Sequence, residues 1–424
     1  MGSIMDKNIG FISTRFSGTD GVTLEASKWA DTLIRNGHHI FWFAGELDRD
    51  PKNSMLVPEA YFKHVENQKL NDQIFGRKGR SPAITEKIHA IKSYLKIQIR
   101  RFIEQFAIDL IVTENCLTIP MHVPLGIALT ETIAETQIPT IAHHHDFYWE
   151  RSRFIINAVG DYLQMAFPPK LPGIEHVVIN STAQEELALR TGISSIIIPN
   201  VLEFEIPPVV NTERTALLRE AIGLAPEDTM VLQPTRIIQR KGIEHAIEFV
   251  RKLGNPRCKL FISHEAGDEG FEYADWIKET AMSQGVELRF INTRIDDPWN
   301  NRDREKGRYS LWDVYPHADF ITFPSLYEGF GNAFLEAVYF RKPILINRYS
   351  TFIRDIEPLE FDLVVMDQYI TKKTIESAHQ VIEVPSRRKK MVDTNYEIAR
   401  RHYSYTVLWK NLYYIITKFF GMNI

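Results

Sequence analysis

The sequence predicts an α/β protein made of two Rossmann-like, doubly wound parallel-sheet domains facing each other across a cleft. Three observations predict it. Short apolar runs alternate with stretches of helical period, the alternation restarts once after residue 200, and a Pro-rich stretch at 199–208 separates the two series as a hinge. A chain of 424 residues can hold two cores of about 200 residues each. The boundaries read as 5–200, 201–404, and a last helix at 405–424 expected to cross back onto the first domain.

The first unit is the clearest. Asn8-Ile9-Gly10-Phe11-Ile12-Ser13 reads as a buried strand, 14–21 as a polar glycine-containing loop, 22–36 as a helix closed by Gly37, and 39–43 as the second strand. Further strands are expected at 109–113, 139–143 and 176–179, with helices at 85–106, 123–136 and 183–190. In the second half the pattern gives strands at 230–233, 259–263, 287–291, 319–323 and 343–347 and a helix at 242–253. No internal repeat or low-complexity tract interrupts either half.

Composition excludes several classes. Lys+Arg 50 against Asp+Glu 54 leaves a formal charge of -4, so no cationic field marks nucleic acid as an obligate partner. The two cysteines, Cys116 and Cys258, offer no zinc spacing and read as small buried hydrophobes of a cytoplasmic protein. No apolar run approaches the roughly 20 residues needed to span a bilayer. Residues 1–5 lack the apolar stretch of a signal peptide.

Chemistry is expected where open α/β sheets bind ligands, at the carboxyl ends of the strands. The strongest segment is Pro324-Ser325-Leu326-Tyr327-Glu328-Gly329-Phe330-Gly331-Asn332-Ala333-Phe334-Leu335-Glu336-Ala337, which follows a strand and opens a helix. Small residues and free N–H groups at a helix start favour a diphosphate or sugar oxygens. Glu328 precedes that helix and Glu336 lies about two turns within it, so the two cannot act as a close pair on one glycosidic oxygen. For isolated glutamates a cap and a solvated face would be the ordinary reading.

Glu328 through Glu336, with Gly-Phe-Gly after the first glutamate, resembles the signature of family 4 retaining glycosyltransferases, which have the GT-B fold. Thr235-Arg236-Ile237-Ile238-Gln239-Arg240-Lys241-Gly242 is similar to that family's Gly-Arg-x4-Lys-Gly segment, and Ile198-Pro199-Asn200-Val201 to its Pro-Asn-Gly hinge. Thr235 and Val201 stand where the family commonly has glycine. The resemblance implies a nucleotide-diphospho-sugar donor, with Arg236 and Lys241 neutralising the leaving diphosphate as fixed cations do in a closed site. It implies Glu336 on the ribose hydroxyls, Glu328 on the transferred sugar, and the backbone of Gly329, Phe330, Gly331, Asn332 and Ala333 on phosphate and sugar oxygens. Gly21, in Asp20-Gly21-Val22, matches the glycine loop after the first strand. His145, followed by Asp146, matches a histidine bordering the transferred sugar, with His143 and His144 as rival positions.

No metal and no other cofactor is expected. Side-chain cations take a metal's role, the triplet Asp48-Arg49-Asp50 has no supporting ligands, and three consecutive histidines on an extended backbone cannot all converge on one ion. No carboxylate reads as a nucleophile, so the resemblance implies front-face substitution with retention. Arg15, Arg151 and Arg153 flank the first domain's loops, and Tyr148 and Trp149 offer faces for a sugar ring. Together they point to a small anionic sugar acceptor, against the plainer reading of surface ion pairs. The stretch from His143 to Arg151 is similar to enzymes making compatible solutes such as mannosylglucosylglycerate, which suits GDP-mannose as donor, with UDP-glucose as the alternative, and an acceptor bearing a carboxylate, for example glucosylglycerate.

Two other classes stand beside this reading. The helix at 84–106 carries Lys87, Lys92, Lys96, Arg100 and Arg101 around apolar positions, the pattern of a weak peripheral membrane contact by an enzyme with a lipid or polysaccharide-precursor acceptor. A core-packing helix with a solvated face is the commoner outcome. A non-catalytic sugar-binding scaffold would not need Glu328, Arg236 and Lys241 intact.

Overall fold

The structure, a computed structural model, describes residues 6–18, 20–209, 215, 217–263, 271–291, 295–296 and 309–421, so residues 1–5 of the sequence reading lie outside it. The chain divides into two units, Met1–Pro199 with Leu408–Ile424, and Asn200–Val407.

The first unit carries seven parallel strands: β1 (Asn8–Ile12), β2 (His39–Ala44), β3 (Ser54–Leu56), β4 (Leu110–Glu114), β5 (Thr140–His144), β6 (Ile174–Val178) and β7 (Ser195–Ile197). They lie in the order β3-β2-β1-β4-β5-β6-β7. Ile9, Phe11 and Ile12 of β1 are wholly buried because helices cover both faces, which is why the strand reads as a continuous apolar run. Gly10 interrupts that run for a reason of space. A Cβ there would stand 2.6 Å from the Phe102 ring, so glycine lets the helix α1 (Pro82–Gln105) pack close to the sheet. On its other side α1 lies along α2 (Val123–Thr136), and there Lys92 and Lys96 reach Glu131 while Lys96 and Arg100 reach Glu135. Lys87 is paired with Glu66. The basic face of this helix is thus largely engaged by carboxylates. The last helix, α3 (Tyr405–Phe420), belongs to this unit from Leu408 onward, with Lys418 ion-paired to Glu175 and the Phe420 ring under Lys7 at 4.4 Å. No described helix is long and apolar enough to cross a membrane.

The second unit repeats the plan. Its sheet comprises β8 (Thr229–Gln233), β9 (Cys258–Ile262) and β10 (Leu288–Phe290), then β11 (Phe320–Phe323), β12 (Ile344–Asn347) and β13 (Val364–Met366). All are parallel, in the order β10-β9-β8-β11-β12-β13. In both units the order runs outward from the first strand in two directions. The first strand and its later-arriving neighbour therefore flank a switch point, β1 with β4 and β8 with β11, the position at which open α/β sheets bind ligands. Cys116 and Cys258 are both buried free thiols.

Candidate active site

In the second unit the two loops that leave the switch point, 234–242 after β8 and 324–331 after β11, are tied together. Leu326 N–H donates to the Arg240 carbonyl at 2.8 Å. Gly242 sits at φ 60°, and a Cβ on it would stand 2.5 Å from the Pro324 carbonyl oxygen, so both conformation and space call for glycine there. This contact brings Lys241 to Glu328. Their side chains form an ion pair, and Arg240 reaches the same carboxylate at 3.1 Å. Glu328 is only 6% exposed. Burial alone would raise its carboxyl, but Lys241 and Arg240 outweigh burial and hold it below the usual range. Burial pushes the Lys241 ammonium down, with Glu328 opposing and Arg240 and Arg236 adding to the fall. Arg236 itself is exposed.

Side chains at the end of β12 and just beyond it hold the second loop. Asn347 Nδ2 donates to the Ser325 carbonyl at 3.0 Å, Tyr349 O–H to the Phe330 carbonyl at 2.7 Å, and Thr351 O–H to the Glu328 carbonyl at 3.0 Å. Gly331 lies at φ 109°, where a Cβ would meet the Phe323 ring at 2.9 Å, and it starts the helix α4 (Asn332–Tyr339) with no side-chain cap. The helix start is therefore made of small or backbone groups, with Gly329 and Ala333 partly open. Phe330 is buried, its ring edge-on to Tyr403 at 5.2 Å. Asn332 accepts a hydrogen bond from Asn200 at 2.6 Å. Glu336 is held by the hydroxyl of fully buried Tyr315 at 2.7 Å. Tyr315, Tyr349 and Thr351 carry no motif and became visible only through these contacts.

In the first unit the ends of β4 and β5 pair in register, Glu114 beside His143. The pleat then separates the three histidines. His143 and His145 turn to the Glu114 side, with His143 Nδ1 and His145 Nε2 at 3.0 and 3.1 Å from Glu114 Oε2. His144 turns the other way, hydrogen-bonded to Thr118 and, at 2.9 Å, to His176. His143 stacks on Trp29 at 4.2 Å between ring centres and is fully enclosed, whereas the His145 side chain keeps 11% of its surface open. Burial pushes Glu114 up to about 7, against the opposing pull of His145. The same burial lowers His143 to about 4 and lowers His145 as well. Glu114 is the member that sequence reasoning missed; its one signal is a carboxylate closing an otherwise apolar strand. The three ligand atoms lie within 4.8 Å of one another, so among the described residues this trio is the cluster able to hold a cation.

The remaining first-unit candidates are mostly engaged locally. Asn115, in the left-handed region at φ 58°, donates to Asp146 at 3.2 Å and accepts from the His145 amide at 2.9 Å. Asp146 also accepts from Arg151 Nε at 2.6 Å. Arg15 is paired with Asp20 at 2.8 Å, and the same Asp20 takes the amides of Val22 and Thr23 at the start of the helix that begins at Gly21. Trp149 has one face stacked on Phe147 at 4.4 Å and Arg190 over its ring at 5.4 Å, while its Nε1–H donates to Glu186. Tyr148 is partly buried against the Val123 and Val159 cluster. Arg153 lies over the Phe154 ring at 4.5 Å. Asp48 and Asp50 serve as loop caps, accepting from the amides of Gly18 and Lys52.

No family model matches the chain. The chain is similar to a mannosylglucosylglycerate synthase of Thermotoga maritima, at 31% identity over 93% of this chain and 96% of that protein. It is also similar to a mannosylglucosylglycerate synthase of Petrotoga mobilis, at 33% identity over 84% of this chain and 86% of that protein. Its fold matches the crystal structure of a glycosyltransferase from Rickettsia africae with a TM-score of 0.70 at 12% identity, covering 98% of this chain and 99% of that one. The chain is a glycosyltransferase of the GT-B fold and belongs to the mannosylglucosylglycerate synthase family.

Proposed function

We propose that the protein transfers mannose from GDP-mannose to a hydroxyl of glucosylglycerate, with retention of configuration and without a metal. The observation that carries the reading is the joined pair of loops, in which Lys241, Arg240 and Glu328 meet at the switch point of a parallel sheet and Arg236 stands exposed beside them. The name of the two relatives, mannosylglucosylglycerate synthase, supports a mannosyl group joined to glucosylglycerate, and GDP as its carrier is part of the proposal.

The physical account runs through charge. As the glycosidic bond breaks, the leaving nucleoside diphosphate gains negative charge, and fixed cations that need no reorganisation stabilise it. Lys241 is held at the loop junction by Glu328, and an arriving diphosphate would share or take over that ammonium, freeing the carboxylate for the sugar hydroxyls. Amides at the start of α4 would hold phosphate or sugar oxygens, and Glu336, fixed by Tyr315, would take the ribose. A carboxylate bound by two cations is a poor nucleophile, which favours front-face attack over a glycosyl-enzyme intermediate. His145, steered by Glu114, would border the transferred sugar, and the pair Asp146–Arg151 would face the acceptor's carboxylate.

Purified protein with GDP-mannose and glucosylglycerate should give a single product with an α-mannosidic carbon–proton coupling. UDP-glucose should serve poorly. A β-linked product would overturn the retaining mechanism, and transfer only to a lipid acceptor in vesicles would overturn the acceptor.

A further inference from the structure

We infer that the second unit carries an anion-binding site, suited to a small phosphorylated compound, at the end of its sheet opposite the Lys241–Glu328 loops. A cavity of about 460 Å³ opens there, lined by Arg219, His317, Arg341, Lys342, Arg388 and Lys389, with Asp319 also on its wall. The loops that form it precede β11 and β12, whereas the candidate active site follows β11. A four-residue strand rising about 3.3 Å per residue separates them. The two sites are therefore distinct.

Among the described residues, carboxylates do not balance the charge of the cavity. Five cationic side chains line it. Arg341 and Lys389 share Asp393, each at 2.6 Å, and Asp319 stands 3.7 Å from Arg219 while also accepting the Met230 amide. Five positive and two negative charges leave a surplus of three. Lys342 has only a carbonyl for its ammonium, that of Pro316 at 2.7 Å, and Arg388 has no carboxylate partner among the described residues. Burial lowers Lys342 to about 8; Asp319 opposes the fall, while Arg388 and Arg219 add to it. His317 adds a buried Nε2 with no hydrogen-bond partner among the described residues.

The adjoining helix, α5 (Pro385–His402), makes the surplus worse. Its first turns read Pro385-Ser386-Arg387-Arg388-Lys389-Lys390, with no acidic residue in the first turn. Cations at a helix N-terminus oppose the helix dipole, which favours anions at that end. Arg387 is satisfied by Asp362 at 2.6 Å, but Arg388 and Lys389 face the cavity. A phosphate dianion would offset both the dipole and the side-chain charge, and the volume suits a phosphate ester of sugar size.

The test is titration calorimetry with inorganic phosphate, with glucose 6-phosphate, and with phosphatidic acid vesicles, all at matched ionic strength, on wild type, Lys241→Ala, Arg388→Gln and Lys342→Gln. Saturable binding of phosphate or the ester is expected in wild type and in Lys241→Ala. Affinity should fall roughly tenfold or more in Arg388→Gln and in Lys342→Gln, as for loss of one hydrogen bond to a charged group. Arg388 is partly exposed and has no carboxylate partner among the described residues, so its variant should melt as wild type does in chloride. The site is overturned if wild type takes up neither soluble anion, if Arg388→Gln and Lys342→Gln bind as wild type does, or if binding disappears in Lys241→Ala instead. Binding to vesicles alone would overturn a small-molecule site.

Discussion

The Lys241 ammonium is ion-paired with the Glu328 carboxylate across two loops 87 residues apart in sequence, and both groups are almost enclosed. Lys241→Ala should therefore do two things. It removes a cation from the diphosphate site, for a loss on the order of a hundredfold in kcat/KM, and it leaves a buried carboxylate with Arg240 as its remaining partner, lowering the melting temperature. Arg236→Ala, at an exposed position, should cost a similar factor in transfer with the melting temperature unchanged. Wild-type turnover in both variants would remove the donor site from these loops.

Glu336 depends on Tyr315 for its orientation. Tyr315→Phe deletes one hydrogen bond to a charged group, worth about 1.5–3 kcal/mol. The expected result is a tenfold or greater rise in donor KM with kcat little changed, measured by initial rates at saturating acceptor. An equal loss in kcat with KM preserved would place Glu336 elsewhere in the reaction.

Metal independence has a direct check in the Glu114, His143 and His145 trio. We expect activity to persist after exhaustive dialysis against EDTA, and elemental analysis to find less than stoichiometric metal. Abolition by chelator with recovery on adding a divalent ion, lost again in His143→Gln, would turn the trio from a hydrogen-bonded cluster into a cation site.

Acid stability should be set by buried neutral histidines. His122 accepts the Leu125 amide on Nδ1 at 3.2 Å, capping α2, while its Nε2–H donates to the Glu59 carbonyl at 2.8 Å, so it has no room for a second proton. Burial lowers His122, His143 and His176 to about 4 each, from an ordinary 6.5. Between those values the unfolded chain binds more protons than the folded one, so stability is full above 6.5 and falls as pH drops toward 4. Glu114, raised to about 7, acts oppositely, losing stability as pH rises through 7, but one carboxyl opposes three imidazoles. Denaturant titrations from pH 7 to 4.5 should show a steep decline, and His122→Asn, which can keep the cap, should reduce proton uptake on unfolding by about one. An unchanged slope in that variant would remove His122 from the acid response.

Strand and helix periodicity determined the architecture. Apolar runs such as 8–13, 109–113 and 319–323 became parallel strands because a run buried on both faces leaves an unbroken apolar signature. The edge strands Ser54–Leu56, Ser195–Ile197 and Val364–Met366 were not read, since three residues show no period, whereas the equally short Leu288–Phe290 fell within the stretch read at 287–291. Sequence also marked Arg236, Lys241, Glu328 and Glu336, because loop chemistry at a helix start is local and spaced along one segment. What only the tertiary structure decided is which groups meet. Glu114 joins His143 and His145 because β4 and β5 pair in one register, and Lys241 joins Glu328 because β8 and β11 are neighbours at a switch point. The engagement of Trp149 by Phe147 and Arg190, and of the basic helix by Glu131 and Glu135, was equally hidden. Pairing partners lie tens of residues apart, and a side chain's accessible faces depend on what packs against it, so neither is encoded in local spacing.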